Sequence, residues 1–274
     1  MTSNAVAERD FTPHPVAGGG VTQTTAVEQS RAVAEVQAAV VVAQQCPRDV
    51  DRAEAEMLAS CSRLALAERA IYRVTNRGEG PSVHLARELA RIYGNVQFGV
   101  HELRRDDAAG VSEIQAFAWD VQANVRSTRT FQVPHQRMAG GKRKALVDLT
   151  DVYLNNQNIG SRAVRECIFT VLPTWFVEAA ETRCRQTLRD GDGKPLKDRI
   201  SEAVAAFASN GVSQAQLEDK LGRKREQWDA GNVASLVVLF QSLQRGEVTV
   251  EEEFPTVRLT AADMGAPVDE GAAS

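Results

Sequence analysis

The sequence predicts an α+β fold: a central antiparallel β-meander packed with helices, followed by a small all-helical C-terminal domain. Three observations carry that expectation. Strand-like segments at 96–104, 111–121 and 125–133 are separated by hairpin-length turns. Helical periodicities flank them on both sides. After the run Asp190, Gly191, Asp192, Gly193, Lys194 and Pro195, only helical patterns follow. The 274 residues, 43% hydrophobic and 25% charged, fit one large domain or a medium domain with a smaller unit and tails. Collagen-like, disulfide-framework and wholly disordered classes are excluded by composition.

Residues 1–26 are rich in Ala, Thr, Pro and Gly and read as a disordered N-terminal tail. A helix is expected over 27–45, stopped by Cys46 and Pro47. A second begins near Asp49 or Asp51 and reaches about residue 67, with Ala53, Met57 and Cys61 on its apolar face. A short strand at 71–74 runs into a glycine-containing breaker at 76–80, and Pro81 opens a helix over 81–93. In that helix Leu85, Leu89 and Ile92 fall on one side, and His84, Arg87, Glu88 and Arg91 on the other. The meander follows, then a basic loop over 134–144. A long helix spans about 148–172 up to Pro173, and another 174–188. These elements define a core domain over 27–189, a linker at 190–196, a helical domain over 197–246 and an acidic disordered tail over 247–274. The C-terminal core is expected to use Phe207, Leu217, Leu221, Trp228, Leu236, Leu239, Phe240 and Leu243.

The longest apolar run, 38–43, is far below the ~20 residues that span a bilayer. The first residues lack a charged-then-apolar leader pattern, which predicts a cytoplasmic protein with no membrane association. Cys46, Cys61, Cys167 and Cys184 are widely spaced and read as reduced, mostly buried thiols.

The net charge of −4 conceals an uneven distribution: −2 over 1–30, +3 over 31–190 and −5 over 191–274. Between 121 and 147 stand Arg126, Arg129, Arg137, Lys142, Arg143 and Lys144, with no acidic residue. Such a strip attracts phosphate backbones through Coulomb energy and counterion release. On the long helix, at 100° per residue, Asp151, Asn155, Asn158, Arg162 and Arg165 share one arc. Asn and Arg there can donate to successive phosphates, and the Arg fork can grip two oxygens. The strip and the helix together give the candidate nucleic-acid-binding residues. The strip's only aromatic residue is Phe131, so grip on the backbone fits better than base stacking.

No P-loop, H-E-x-x-H, EF-hand, G-x-S-x-G or dinucleotide-binding glycine pattern is present. His14, His84, His101 and His135 are scattered. The chain therefore reads as a non-enzyme needing no cofactor or metal. A metal-dependent nuclease remains an alternative, because Glu88, Glu102, Asp120, Asp148 and Asp151 could converge. A structural scaffold without nucleic acid is a third.

The order of helices, meander, basic segment and a helix reading Ser161-Arg162-Ala163-Val164-Arg165-Glu166-Cys167-Ile168-Phe169-Thr170-Val171-Leu172-Pro173 resembles phage single-strand DNA annealing proteins of the RecT/Redβ group. Gly80-Pro81-Ser82-Val83-His84-Leu85-Ala86 and Ala116-Phe117-Ala118-Trp119-Asp120 are similar to segments of phage recombination modules. The stretch from Phe207 through Leu217 and Leu221 to Phe254 is similar to the helical tails of such proteins. The resemblance implies ATP-independent binding and annealing of single-stranded DNA by a homo-oligomeric ring or filament in a bacterial cytoplasm. The net-acidic charge of 191–274 in turn predicts that the C-terminal domain contacts a protein partner such as a host single-strand binding protein or a companion exonuclease.

Overall fold

A computed structural model describes residues 23–75, 78–139 and 142–255. The protein is a mixed α/β structure built on a three-stranded antiparallel sheet with helices. Helix α1 (Gln23–Gln45) is followed by α2 (Val50–Cys61) and α3 (Leu64–Ala70). Strands β1 (Ile71–Val74) and β2 (Gly78–Pro81) form a small antiparallel pair, and α4 (Val83–Tyr93) leads into the meander. The meander is β3 (Val96–Asp106), β4 (Val111–Asp120) and β5 (Val125–Pro134), with β4 in the middle. A second hairpin, β6 (Gln136–Ala139) with β7 (Lys142–Ala145), precedes the long helix α5 (Leu149–Val171) and then α6 (Thr174–Asp190). The chain closes with α7 (Leu196–Ala208), α8 (Gln214–Leu221), α9 (Ala230–Gln244) and the short α10 (Val250–Glu253).

Alternation along β4 sets the layers. Ser112, Ile114, Ala116, Ala118 and Asp120 are buried, and the intervening residues are half-exposed. The buried row faces α5, which lies across all three strands. The helix comes very close to β3 at Gly160, where an added Cβ would stand 2.8 Å from Val100 Cγ1. That close approach explains a glycine in mid-helix, a position that otherwise costs helix stability. The main core joins Met57, Leu85, Leu89, Ile168, Phe176 and Leu188 from α2, α4, α5 and α6. A buried ion pair, Arg48 to Asp120 at 2.9 Å, pins the segment before α2 to the meander. Arg48 also donates to the Tyr93 and Gly94 carbonyls and lies 3.6 Å above the Tyr93 ring.

Several sequence expectations need correction. The helix expected from 49 to 67 is two helices, because the chain breaks at Ser62 and Arg63, the cap residues of α2 and α3. Pro81 belongs to β2, and Ser82 caps α4 by accepting from the His84 and Leu85 amides. The basic segment expected as a loop is the β6–β7 hairpin, in which Gln136–Ala139 pairs with Lys142–Ala145. The disordered tail expected over 1–26 is helical from Gln23; residues 1–22 lie outside the described residues.

The acidic stretch expected to be unstructured contains α10, capped reciprocally by Thr249 and Glu252. Phe254 is buried against Phe207, with ring centroids 5.8 Å apart. Residues 256–274 lie outside the described residues.

The C-terminal helices do have an apolar cluster, made of Phe207, Val212, Leu217, Trp228, Leu236, Leu239, Val248 and Phe254. Leu221, Phe240 and Leu243 pack against it, partly buried. Helix α9 serves both cores, since Ala234 and Val238 join the main one. The expected linker at 190–196 includes a 3₁₀ turn, Gly191–Gly193. Gly191 is buried at φ +62°, and Arg199 lies over it, donating to the Leu188 and Arg189 carbonyls.

Candidate nucleic-acid interface

Asp148 starts α5 by accepting from the Thr150 and Asp151 amides at 2.8 and 3.3 Å. Those bonds hold its carboxyl below the usual range. The helix buries Val152, Asn156, Gly160, Val164, Cys167, Ile168 and Val171, a stripe centred opposite Asp151, Asn155, Asn158, Arg162 and Arg165. The polar arc expected from the sequence is therefore the face turned away from the sheet. From Asp151 to Arg162 it runs about 16 Å.

The β6–β7 hairpin stands at the start of this arc. Arg137 reaches to 4.0 Å from Asp151, and Asn155 donates its side-chain amide to the Pro134 carbonyl at 3.3 Å. Cross-strand pairing of Arg137 with Lys144, and of Ala139 with Lys142, places Arg137, Lys142 and Lys144 on one hairpin face. Arg143, paired with Met138, is on the other. Lys142, Arg143 and Lys144 are exposed, and their side chains make no hydrogen bond or ion pair among the described residues.

The hairpin is braced from below. His135, buried at the β5–β6 junction, meets the Ser112 hydroxyl at 2.9 Å, and Ser112 donates to Glu102 at 2.7 Å. Asp107 lies 3.8 Å from the other ring nitrogen of His135. This sequence of Ser, His and Asp imitates a nucleophilic triad, but Ser112 is completely buried and its proton goes to Glu102. Its role is a strut. Arg105 and Ser112 hold the Glu102 carboxyl below its usual range, with Arg105 the larger influence.

At the other end of the arc Asn158, Arg162 and Arg165 line an open cleft of about 700 Å³. Its further walls come from Tyr72 and Glu79 of β1–β2, from Ser82, His84 and Arg87 of α4, and from Arg245 and Glu247 after α9. Arg87 donates to the Ser161 hydroxyl at 3.2 Å. Arg162 is exposed and makes no hydrogen bond or ion pair among the described residues. Arg165 is committed elsewhere: both its Nε and Nη2 donate to Glu166, and its guanidinium lies 4.4 Å over the Tyr72 ring.

The structure thus brings Arg137, Lys142, Lys144, Asn155, Asn158 and Arg162 along one track. It does not bring all ten candidates together. Arg126 pairs with Trp119 and Arg129 with Ala116, so strand alternation puts the two arginines on opposite faces of the sheet. Arg126 is also eight residues, about 27 Å, up β5 from Pro134, where that strand ends before the hairpin.

Arg87, His84 and Arg245 were not singled out from sequence as binding residues. The only signal was the polar side of the 81–93 helix. His101 and Phe117 stack at 5.0 Å with 2° between rings, on the sheet face away from α5.

The five carboxylates considered as metal ligands are separately engaged. Glu88 takes Arg91 and Ser60, Glu102 takes Arg105, Asp120 takes Arg48, Asp148 caps α5 and Asp151 faces Arg137. Among the described residues no three His, Cys, Asp or Glu side chains are grouped as metal ligands would be. Also among the described residues, no helix is long and apolar enough to cross a membrane. The four cysteines are free thiols; Cys61, Cys167 and Cys184 are buried and Cys46 is exposed.

No protein-family model, curated protein or solved structure matches the chain.

Proposed function

We propose that this protein binds single-stranded DNA by its backbone, along the polar face of α5 and the adjoining β6–β7 hairpin, and anneals complementary strands without ATP in phage-type recombination. The observation that carries the reading is the pairing of a donor face on α5 with a hairpin whose Lys142, Arg143 and Lys144 have no counter-charge among the described residues. Cations left unpaired by the fold release counterions when phosphates replace them. Asparagine and arginine along a helix face fix a backbone without reading bases. The annealing step rests on the RecT/Redβ resemblance of the 161–173 segment.

The working form in this reading is a homo-oligomer, ring or filament, in a bacterial cytoplasm. Uncovered apolar surface supports the assembly: Val147, Leu149, Tyr153 and Leu154 beside the hairpin are 90%, 63%, 52% and 51% exposed. Helix α1 adds Val27, Val33, Val36, Val41 and Val42, all exposed. The C-terminal helices, packed onto the main core through α9, offer a surface to a host single-strand binding protein or a companion exonuclease. The test is annealing of complementary labelled oligonucleotides with neither nucleotide nor metal present. Acceleration over the protein-free rate is expected; strands that anneal no faster would overturn the proposal.

A further inference from the structure

We infer that the cleft between α4, α5, β1–β2 and the end of α9 takes the terminal phosphate of a nucleic-acid strand, a phosphomonoester held between Arg87 and Arg162. This inference rests on the nucleic-acid reading and gives the same track an end-point. Among the described residues, four arginines line the cleft, against Glu79 and Glu247. Local pairing decides which charges remain. Arg245 takes Glu247 at 3.0 Å, Glu79 is taken by Arg185 at 3.0 Å and Arg73 at 3.6 Å, and Arg165 is held by Glu166. Among the described residues Arg87 and Arg162 are left with no carboxylate, one on each wall. The bond from Arg87 to Ser161 holds its guanidinium beside the residue preceding Arg162.

Two guanidinium forks with no carboxylate partner among the described residues match a group of two negative charges with three acceptor oxygens. A terminal phosphomonoester carries about −1.5 to −2 at neutral pH, whereas an internal diester carries only one charge. Arg forks suit such oxygens better than lysine does.

Three further features of the cleft favour an anion. The first turn of α4, at Ser82, Val83 and His84, lines it and presents the positive end of that helix. Arg245 lines it too, adding a third guanidinium on the side of α9. His84 is held below the usual histidine value by burial and then by Arg245, Arg69 and Arg87, with Glu247 opposing. The cleft volume, about 700 Å³, exceeds what one phosphate fills and falls in the range of sites that hold a nucleotide-sized group.

The experiment compares one labelled single strand carrying a 5′-phosphate, a 3′-phosphate or neither, on the full chain, by fluorescence anisotropy. One of the two phosphorylated strands should bind about tenfold tighter or more than the plain strand. R87A should reduce that ratio to near one, while K142A/K144A should weaken all three strands and keep the ratio. Three outcomes overturn the inference: equal affinity for all three strands with strand binding intact, a ratio that survives R87A, or inorganic phosphate erasing the preference at the same concentration as a phosphorylated strand. The first would leave the proposed function standing. Failure of every strand to bind would remove both.

Discussion

Arg162 and Arg165 look equivalent in sequence, three residues apart on the same helical face, yet their surroundings separate them. Arg162 is exposed and unpaired among the described residues, whereas Arg165 is clamped by Glu166 and stacked over Tyr72. R162A should therefore weaken single-strand binding while leaving the thermal midpoint unchanged. R165A should instead lower stability by about 1 kcal/mol, because its packing and stacking disappear. Chemical denaturation and a binding titration on each variant distinguish the two. His84 gives a second residue-level expectation. Its folded-state value lies below 6.5, so the unfolded chain takes up the proton first. Stability should therefore fall as pH drops from about 7 toward 5. H84Q should flatten the slope in that window; equal slopes in the two proteins would show that His84 is not the group responsible.

At the scale of elements, the hairpin behaves as two unequal faces. Lys142 and Lys144 share the face of Arg137, which approaches Asp151 on α5, and Arg143 points the other way. K142A/K144A should then reduce affinity and flatten the dependence of log K on log salt, by up to ~0.7 for each phosphate that is no longer neutralised. R143A should change both less than either single lysine substitution does.

The elements also show what the sequence could reveal. The meander was legible because β4 alternates strictly and its turns carry glycine, aspartate or asparagine. The donor arc of α5 was legible because helical periodicity alone separates Asn158 and Arg162 from Val164 and Ile168. The β6–β7 hairpin was not, since Gln136, Arg137, Met138 and Lys142–Ala145 are all exposed and show no apolar alternation. Nor was the cleft: Arg87, Arg162 and Arg245 come from three distant segments that only tertiary packing brings to one opening.

For the whole molecule, the charge asymmetry between 31–190 and 191–274 suggested two separable halves. The packing ties them together. Ala234 and Val238 of α9 complete the main core. Arg245 donates to the Ile71 carbonyl, and the buried Glu253 accepts from Thr75 and pairs with Arg73 and Lys220. A chain ending at 190 exposes that bed and should lose several kcal/mol of stability, at about 1.5–3 kcal/mol for each fully buried aliphatic side chain. Comparison of its thermal midpoint with that of the full chain checks this; equal midpoints would mean that the halves fold independently.

The central claim is that the α5 face and the hairpin together hold a strand by its phosphates. The direct measurement is the salt dependence of single-strand affinity for the wild-type chain and for R162A combined with K142A/K144A, on two strands of unrelated sequence. The account predicts a linear fall of log K with log salt in the wild type, and a triple variant with weaker binding and a slope smaller by about 2, alike on both strands. An unchanged affinity and slope in the triple variant would contradict it.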